Sequence, residues 1–142
     1  EKMMKYTEQQ IIQHILDNFN GKKIAVLAPL VRARKGHYRE LFDSTRKKGY
    51  TKVRVNGEII NLEPGLTLDR YKTHDIELVV DRLKVDEDRR DRLSASLQMA
   101  LKLGGDFIMI NDVDAKSFVW HFVKVSSLIV SEVKVVLQLV TF

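Results

Sequence analysis

Asn56-Gly57 stands between Thr51–Val55, where polar and apolar residues alternate, and Glu58–Leu62, which reads as a return strand. Asn and Gly both tolerate positive φ, which the tightest hairpin turn needs at its two central residues, and that turn matches the natural twist of paired strands. The dipeptide therefore predicts a β-hairpin. A chain committed to a hairpin builds a mixed or antiparallel sheet, so the flanking segments must be read as helices packed on such a sheet.

Those segments are legible in turn. Thr7-Glu8-Gln9-Gln10 has the form of a capping box, and Ile11, Ile12, Ile15, Leu16 and Phe19 follow at helical spacing up to Gly21. Lys23–Ala28 predicts a short apolar strand that Pro29 brings to an end. His37–Lys48 predicts a second helix, with Tyr38, Leu41, Phe42 and Thr45 on one stripe and Gly49 as its C-terminal cap. Pro64-Gly65 opens a loop.

His74–Val85 is a long extended segment. Ile76, Leu78 and Val80 alternate, then the phase shifts to Leu83 and Val85, which predicts a bulge near Asp81-Arg82. Asp86–Leu103 predicts a third helix, with Asp86, Glu87 and Asp88 in its first turn and Leu93, Leu97, Ala100 and Leu101 on its buried face. Gly104-Gly105 ends it. Phe107–Ile110 and Ser117–Val125 read as further strands, and Leu128–Phe142 has β character. The expected architecture is α+β, a mixed or antiparallel sheet with about three helices packed against it. Residues 1–112 are expected to form one domain, and residues 113–142 a strand-rich tail packed on it.

Charge is distributed unevenly. Between Lys22 and Arg54 eleven Lys and Arg face only Glu40 and Asp43, whereas the whole chain of 142 residues is +5. One third of the chain is strongly basic and the rest is net acidic, which points to an anionic partner for one face. Arg46-Lys47-Lys48 suit a helix C-terminus. Arg32, Arg34 and Lys35 fall in an expected loop, where no helix dipole calls for them. Lys52 and Arg54 alternate with Val53 and Val55, so they share one face of a strand, either a solvated outer face or a binding face. Few aromatic residues are interleaved with these cations, which argues against a platform for single-stranded nucleic acid.

Several chemistries find no support. The chain has no cysteine, which removes disulfides, cysteine zinc sites and thiol catalysis together. Neither GxxxxGK[ST] nor GxGxxG occurs. His14, His37, His74 and His121 are far apart and fall on four expected elements, a poor start for a metal site. His74-Asp75 with Asp81 could be drawn as an acid–base pair, but carboxylates on a half-exposed strand usually solvate it. Ser94, Ser96, Ser126 and Ser127 lack a nucleophile elbow. With no apolar leader and no run of about 18 apolar residues, a cytoplasmic location is expected. Glu1 in place of Met hints at an excised segment.

Four motifs, in order, carry a resemblance: LAPLVRARKG at Leu27–Gly36, KKGYTKVRVNGEI at Lys47–Ile59, KTHDIELVVDRL at Lys72–Leu83 and RLSASLQMALKLGG at Arg92–Gly105. From about Thr7 to Asp112 the chain resembles the UvrB-binding domain of UvrA, the damage-sensing subunit of bacterial nucleotide excision repair. The resemblance implies a cytoplasmic ABC-type ATPase as parent, which dimerises, binds damaged DNA and loads UvrB. It implies a domain inserted into the first nucleotide-binding module, without an ATP site of its own, that docks UvrB through charged contacts. ATP and zinc are implied only for the parent.

Lys52 and Arg82 correspond to two basic positions of the family's docking face. Lys52 stands where Arg is usual, and a lysine replaces a bidentate fork with a point charge. The candidate partner-binding set is Lys52, Arg54, Arg82, Asp81, Lys72, Arg32, Arg34 and Lys35, with no catalytic, cofactor or metal residue. After Asp112 the resemblance implies a linker into a cysteine-rich zinc module, whereas Ser117–Phe142 is apolar and free of cysteine. The expectation is a non-enzymatic interaction domain that binds UvrB. The alternative is a stand-alone basic nucleic-acid-binding module.

Overall fold

The computed structural model describes residues 3–6, 8–105, 107–113, 118–125 and 132–139. Among them are eight strands and three α-helices: β1 (Met3–Tyr6), α1 (Glu8–Phe19), β2 (Lys23–Lys35), α2 (Arg39–Lys47), β3 (Lys52–Val55), β4 (Glu58–Asn61), β5 (Thr73–Lys84), α3 (Arg90–Leu103), β6 (Phe107–Asp112), β7 (Phe118–Val125) and β8 (Glu132–Leu139). A 3₁₀ turn, Glu87–Arg89, leads into α3. The fold is α+β, and every strand pair with a resolved register is antiparallel.

The chain divides into two compact units, 1–28 with 80–142, and 29–79. In the first unit the strand order is β1-β8-β7-β6-β2. The run Ile24–Ala28 is fully buried, as a continuous apolar strand in a sheet interior must be. Helix α1 buries Ile11, Ile12, Ile15, Leu16 and Phe19, and α3 buries Leu93, Leu97, Ala100 and Leu101, the two stripes that the 3.6-residue period marks out. Asp86 caps the 3₁₀ turn by accepting the Arg89 N–H at 3.1 Å. The Thr7 capping box lies outside the described residues.

In the second unit β3 pairs with both β4 and β5. The hairpin forms where expected, with Asn56 at φ 51° and Gly57 at φ 92°. These are the paired positive values that a type I′ turn requires. Helix α2 buries Phe42 and Thr45 and ends at Gly49, whose φ of 100° suits a glycine after the helix.

Three expectations need correction. Pro29 does not end β2, which runs on to Lys35. The pairing of β2 with β6 covers only Ile24–Leu27, so the missing Pro29 N–H removes no bond from that ladder. In consequence Arg32, Arg34 and Lys35 lie at a strand end rather than in a loop. Tyr38 is not on the α2 stripe: it precedes the helix with φ 57°.

Candidate partner-binding site

Six of the candidate residues fall in the second unit, and Asp81 and Arg82 fall in the first. They differ sharply in what they offer to a partner. Arg32, Arg34 and Lys35 are exposed. Between them Ala33 takes the left-handed conformation, φ 50°, and its N–H donates to Asp75 Oδ1 at 2.8 Å. A non-glycine residue is held there only when its surroundings fix it, so this bond sets how the basic strand end is displayed. Lys72 is exposed on the turn before β5, with its N–H donating to the Asp69 carbonyl at 3.3 Å.

Lys52 and Arg54 do share a face of β3, but the face is largely covered. Lys52 is half-buried and its Nζ reaches Asn61 Oδ1, across the hairpin, at 2.7 Å. Arg54 is only 7% exposed. It stands opposite Glu77 in the β3–β5 register, and its Nη1 donates to Glu77 Oε1 at 2.9 Å. Arg32 Nη1 lies 3.9 Å from Glu77 Oε2. Arg54 is therefore a structural cation, consumed by a buried carboxylate. Burial pushes the Glu77 carboxyl above its usual range, against the pull of Arg54 and Arg32.

Asp81 is also consumed internally. Its Oδ1 accepts the Arg82 N–H at 2.8 Å and Arg92 Nη2 at 2.8 Å, and its Oδ2 accepts Arg92 Nε at 3.0 Å and Ser96 Oγ at 2.7 Å. Arg92 Nη2 also reaches the Arg82 carbonyl at 3.3 Å. Both backbone polar groups of Arg82 are thus held by side chains, at the position where the burial phase of β5 shifts to Leu83 and Val85. Burial works against the charged form of Asp81. The bonds from Arg92 and Ser96, with the Arg92 charge and the Arg82 N–H, outweigh it and hold the carboxyl below its ordinary value.

His74 is a hydrogen-bonding hub of the second unit. Asn56 Oδ1 accepts the Asp75 N–H at 2.9 Å, which turns Asn56 Nδ2 toward His74 Nδ1 at 3.0 Å. His74 Nδ1 is then the acceptor, so Nε2 carries the proton and donates to the Asp69 carbonyl at 2.7 Å. The hairpin tip, β5 and the turn before it are tied through one buried ring. Glu77 and Arg92 are absent from the sequence-derived set. An acid inside the apolar run Ile76–Val80 was the available signal for Glu77, since a buried carboxylate needs a partner. Among the described residues no group of three or more His, Cys, Asp or Glu is gathered to hold a metal.

Fold and site together define an α+β domain that displays fixed cations from a strand end and from turns. Comparison gives the family. Residues 7–114 match the UvrA interaction domain, and the chain belongs to that family. It is 46% identical over 100 residues to the UvrABC system protein A of Methanothermobacter thermautotrophicus, covering 69% of this chain and 10% of the relative. It is 37% identical over 106 residues to that of Aquifex aeolicus, covering 75% and 11%. To that of Thermus thermophilus it is 40% identical over 108 residues, covering 75% and 11%. The chain spans about a tenth of the length of these curated relatives.

Proposed function

We propose that this domain docks UvrB during nucleotide excision repair, through charged contacts that include Lys52 and Arg82. The observation that carries the reading is membership of the UvrA interaction domain family, over residues 7–114. The basic surplus between Lys22 and Arg54 supports it, because charge complementarity steers association and fixes register. The domain acts without catalysis of its own, and ATP turnover, recognition of damaged DNA and a cytoplasmic location belong to the parent protein. Among the described residues no helix is long and apolar enough to cross a membrane.

The test is calorimetry with UvrB. Binding at 1:1 that weakens as salt rises is expected, since exposed ion pairs are screened over about 8 Å at physiological ionic strength. Charge reversal of Lys52→Glu with Arg82→Glu should cost several kcal/mol, because like charges then meet in the interface. Arg46→Glu is the control, as Arg46 is engaged with Asp43 at 3.8 Å on α2. Undiminished affinity of the folded double variant moves the docking face elsewhere, and ATP binding by the chain overturns the non-catalytic reading.

A further inference from the structure

The second unit carries a feature that the docking reading does not use. Tyr71 is 77% exposed, the one large apolar side chain of that unit so displayed among the described residues. It is flanked in sequence by Arg70 and Lys72, both exposed. The turn that presents it is built rather than loose. Asp69 Oδ1 accepts the Tyr71 N–H at 2.9 Å, and the Asp69 carbonyl accepts both the Lys72 N–H and His74 Nε2. His74 itself is 6% exposed, so the turn is anchored from beneath.

The basic end of β2 lies alongside this turn. Leu68 N–H donates to the His37 carbonyl at 2.9 Å, Ala33 N–H donates to Asp75 Oδ1, and the Tyr38 and His74 rings meet edge to face at 6.3 Å. Tyr38 Oη donates to the carbonyls of Arg34 and Lys35, each at 3.1 Å. Two neighbouring segments of the second unit thus expose Arg34, Lys35, Arg70 and Lys72 together with Tyr71, while Arg32 beside them is engaged with Glu77. The acids within them are Asp69 and Asp75, and each already has a carboxylate oxygen taken by a backbone N–H.

We propose that this surface binds single-stranded nucleic acid, with phosphates on Arg34, Lys35, Arg70 and Lys72 and a base stacked on Tyr71. Few aromatics lie among the cations of Lys22–Arg54, and the ring comes instead from the neighbouring turn; cations combined with an accessible aromatic face are the general chemistry of such sites. A duplex fits less well, because its bases are stacked on one another and offer no free face to the ring. An acidic protein surface fits less well too. An anchoring tyrosine in a protein interface is usually ringed by groups that exclude water, whereas Tyr71 stands between two exposed charges. The two readings share Arg34, Lys35 and Lys72 but turn on different residues, Tyr71 here and Lys52 with Arg82 for UvrB, so either can fail alone.

The experiment is fluorescence anisotropy of a labelled oligothymidine of about ten nucleotides titrated with the 142-residue chain. Weak binding is expected, with affinity falling steeply as salt rises, by about 0.7 in logarithmic slope for each phosphate contact. Tyr71→Ala should weaken it on the order of tenfold, and Tyr71→Phe should retain it. Arg70→Glu with Lys72→Glu should abolish it, while Lys47→Glu on α2 should change it little. Circular dichroism on each variant excludes misfolding, and these exposed side chains leave the core intact. The proposal is overturned if Tyr71→Ala binds as the parent does, if an equal length of duplex binds as tightly, or if poly-glutamate competes as well as the oligonucleotide does. The last result would assign the surface to an acidic protein.

Discussion

Glu77 in the second unit and Asp81 in the first are both met by arginine, and their carboxyl groups shift in opposite directions. Glu77, in the second unit, is 1% exposed, and its Oε2 has no hydrogen-bond partner. Burial raises its pKa. Asp81, in the first unit, keeps some contact with water and receives four donors. Its pKa is lowered. Both sites pair Arg with an acid, so pairing alone does not decide the sign. What decides it is whether hydrogen bonds to the charged form replace the water that burial removes.

The largest effect should come from removing Glu77. Glu77→Ala leaves Arg54 buried at 7% exposure without its partner, and breaking a buried pair in this way costs about 3–5 kcal/mol. Urea unfolding followed by circular dichroism measures it. The double replacement Arg54→Met with Glu77→Leu should cost less than Glu77→Ala alone, since an apolar pair removes both desolvation penalties. If the single variant loses less than about 1 kcal/mol, Arg54 finds water or another acceptor, and the contrast between the two sites collapses.

How much of this was legible beforehand follows from the range of each interaction. The hairpin was legible because Asn56 and Gly57 carry their conformational preference themselves. The stripes of α1 and α3 were legible because a 3.6-residue period survives without any partner. The fate of Arg54 was not. A period of two gives the face a residue shares with Lys52, but what covers that face is set by Glu77, 23 positions away. The internal role of Asp81 is not legible from its own position either, because Arg92 and Ser96 meet it only once α3 has folded back. Pro29 misled for a similar reason, since the cost of a missing N–H depends on where the neighbouring ladder stops.

A middle-sized effect sharpens the comparison through pH. A carboxylate with a lowered folded-state pKa adds stability above its unfolded value, near 3.9, and that stability is lost as pH falls through the folded value. Asp81→Asn should therefore cost about 1–3 kcal/mol at pH 7, as hydrogen bonds to a charged group are removed. The gap should narrow as pH drops below about 4. Glu77 has the opposite sign. Its raised pKa means that ionisation costs stability at neutral pH, and this cost is relieved as the folded form takes up its proton. Relative to Glu77→Gln, the parent should gain ground on acidification. Melting curves from pH 7 to pH 3 on the parent and both variants read the two slopes. Slopes of the same sign would show that one physical cause governs both sites.

The smallest expected effect tests the Asp81 site at its exposed end. The Arg92 side chain is 53% exposed, so its charge is well screened and an isolated surface ion pair there would contribute little. The geometry is more demanding than an isolated pair: Nε and Nη2 take both oxygens of Asp81, and Nη2 also reaches the Arg82 carbonyl. Lysine keeps the charge but presents a point rather than a fork. Arg92→Lys should therefore cost about 0.5–1 kcal/mol, within the range for a partly exposed charged contact. It should also loosen the backbone at Arg82, since Ser96 and the Arg82 N–H alone then hold Asp81. Amide hydrogen exchange at Arg82 and Leu83, faster in Arg92→Lys than in the parent while α1 is unchanged, is the expected signature. Exchange at Arg82 equal to that of the parent would mean that the Coulomb attraction suffices and the fork adds nothing. The low pKa of Asp81 would then trace to Ser96, the Arg92 charge and the backbone N–H rather than to the fork.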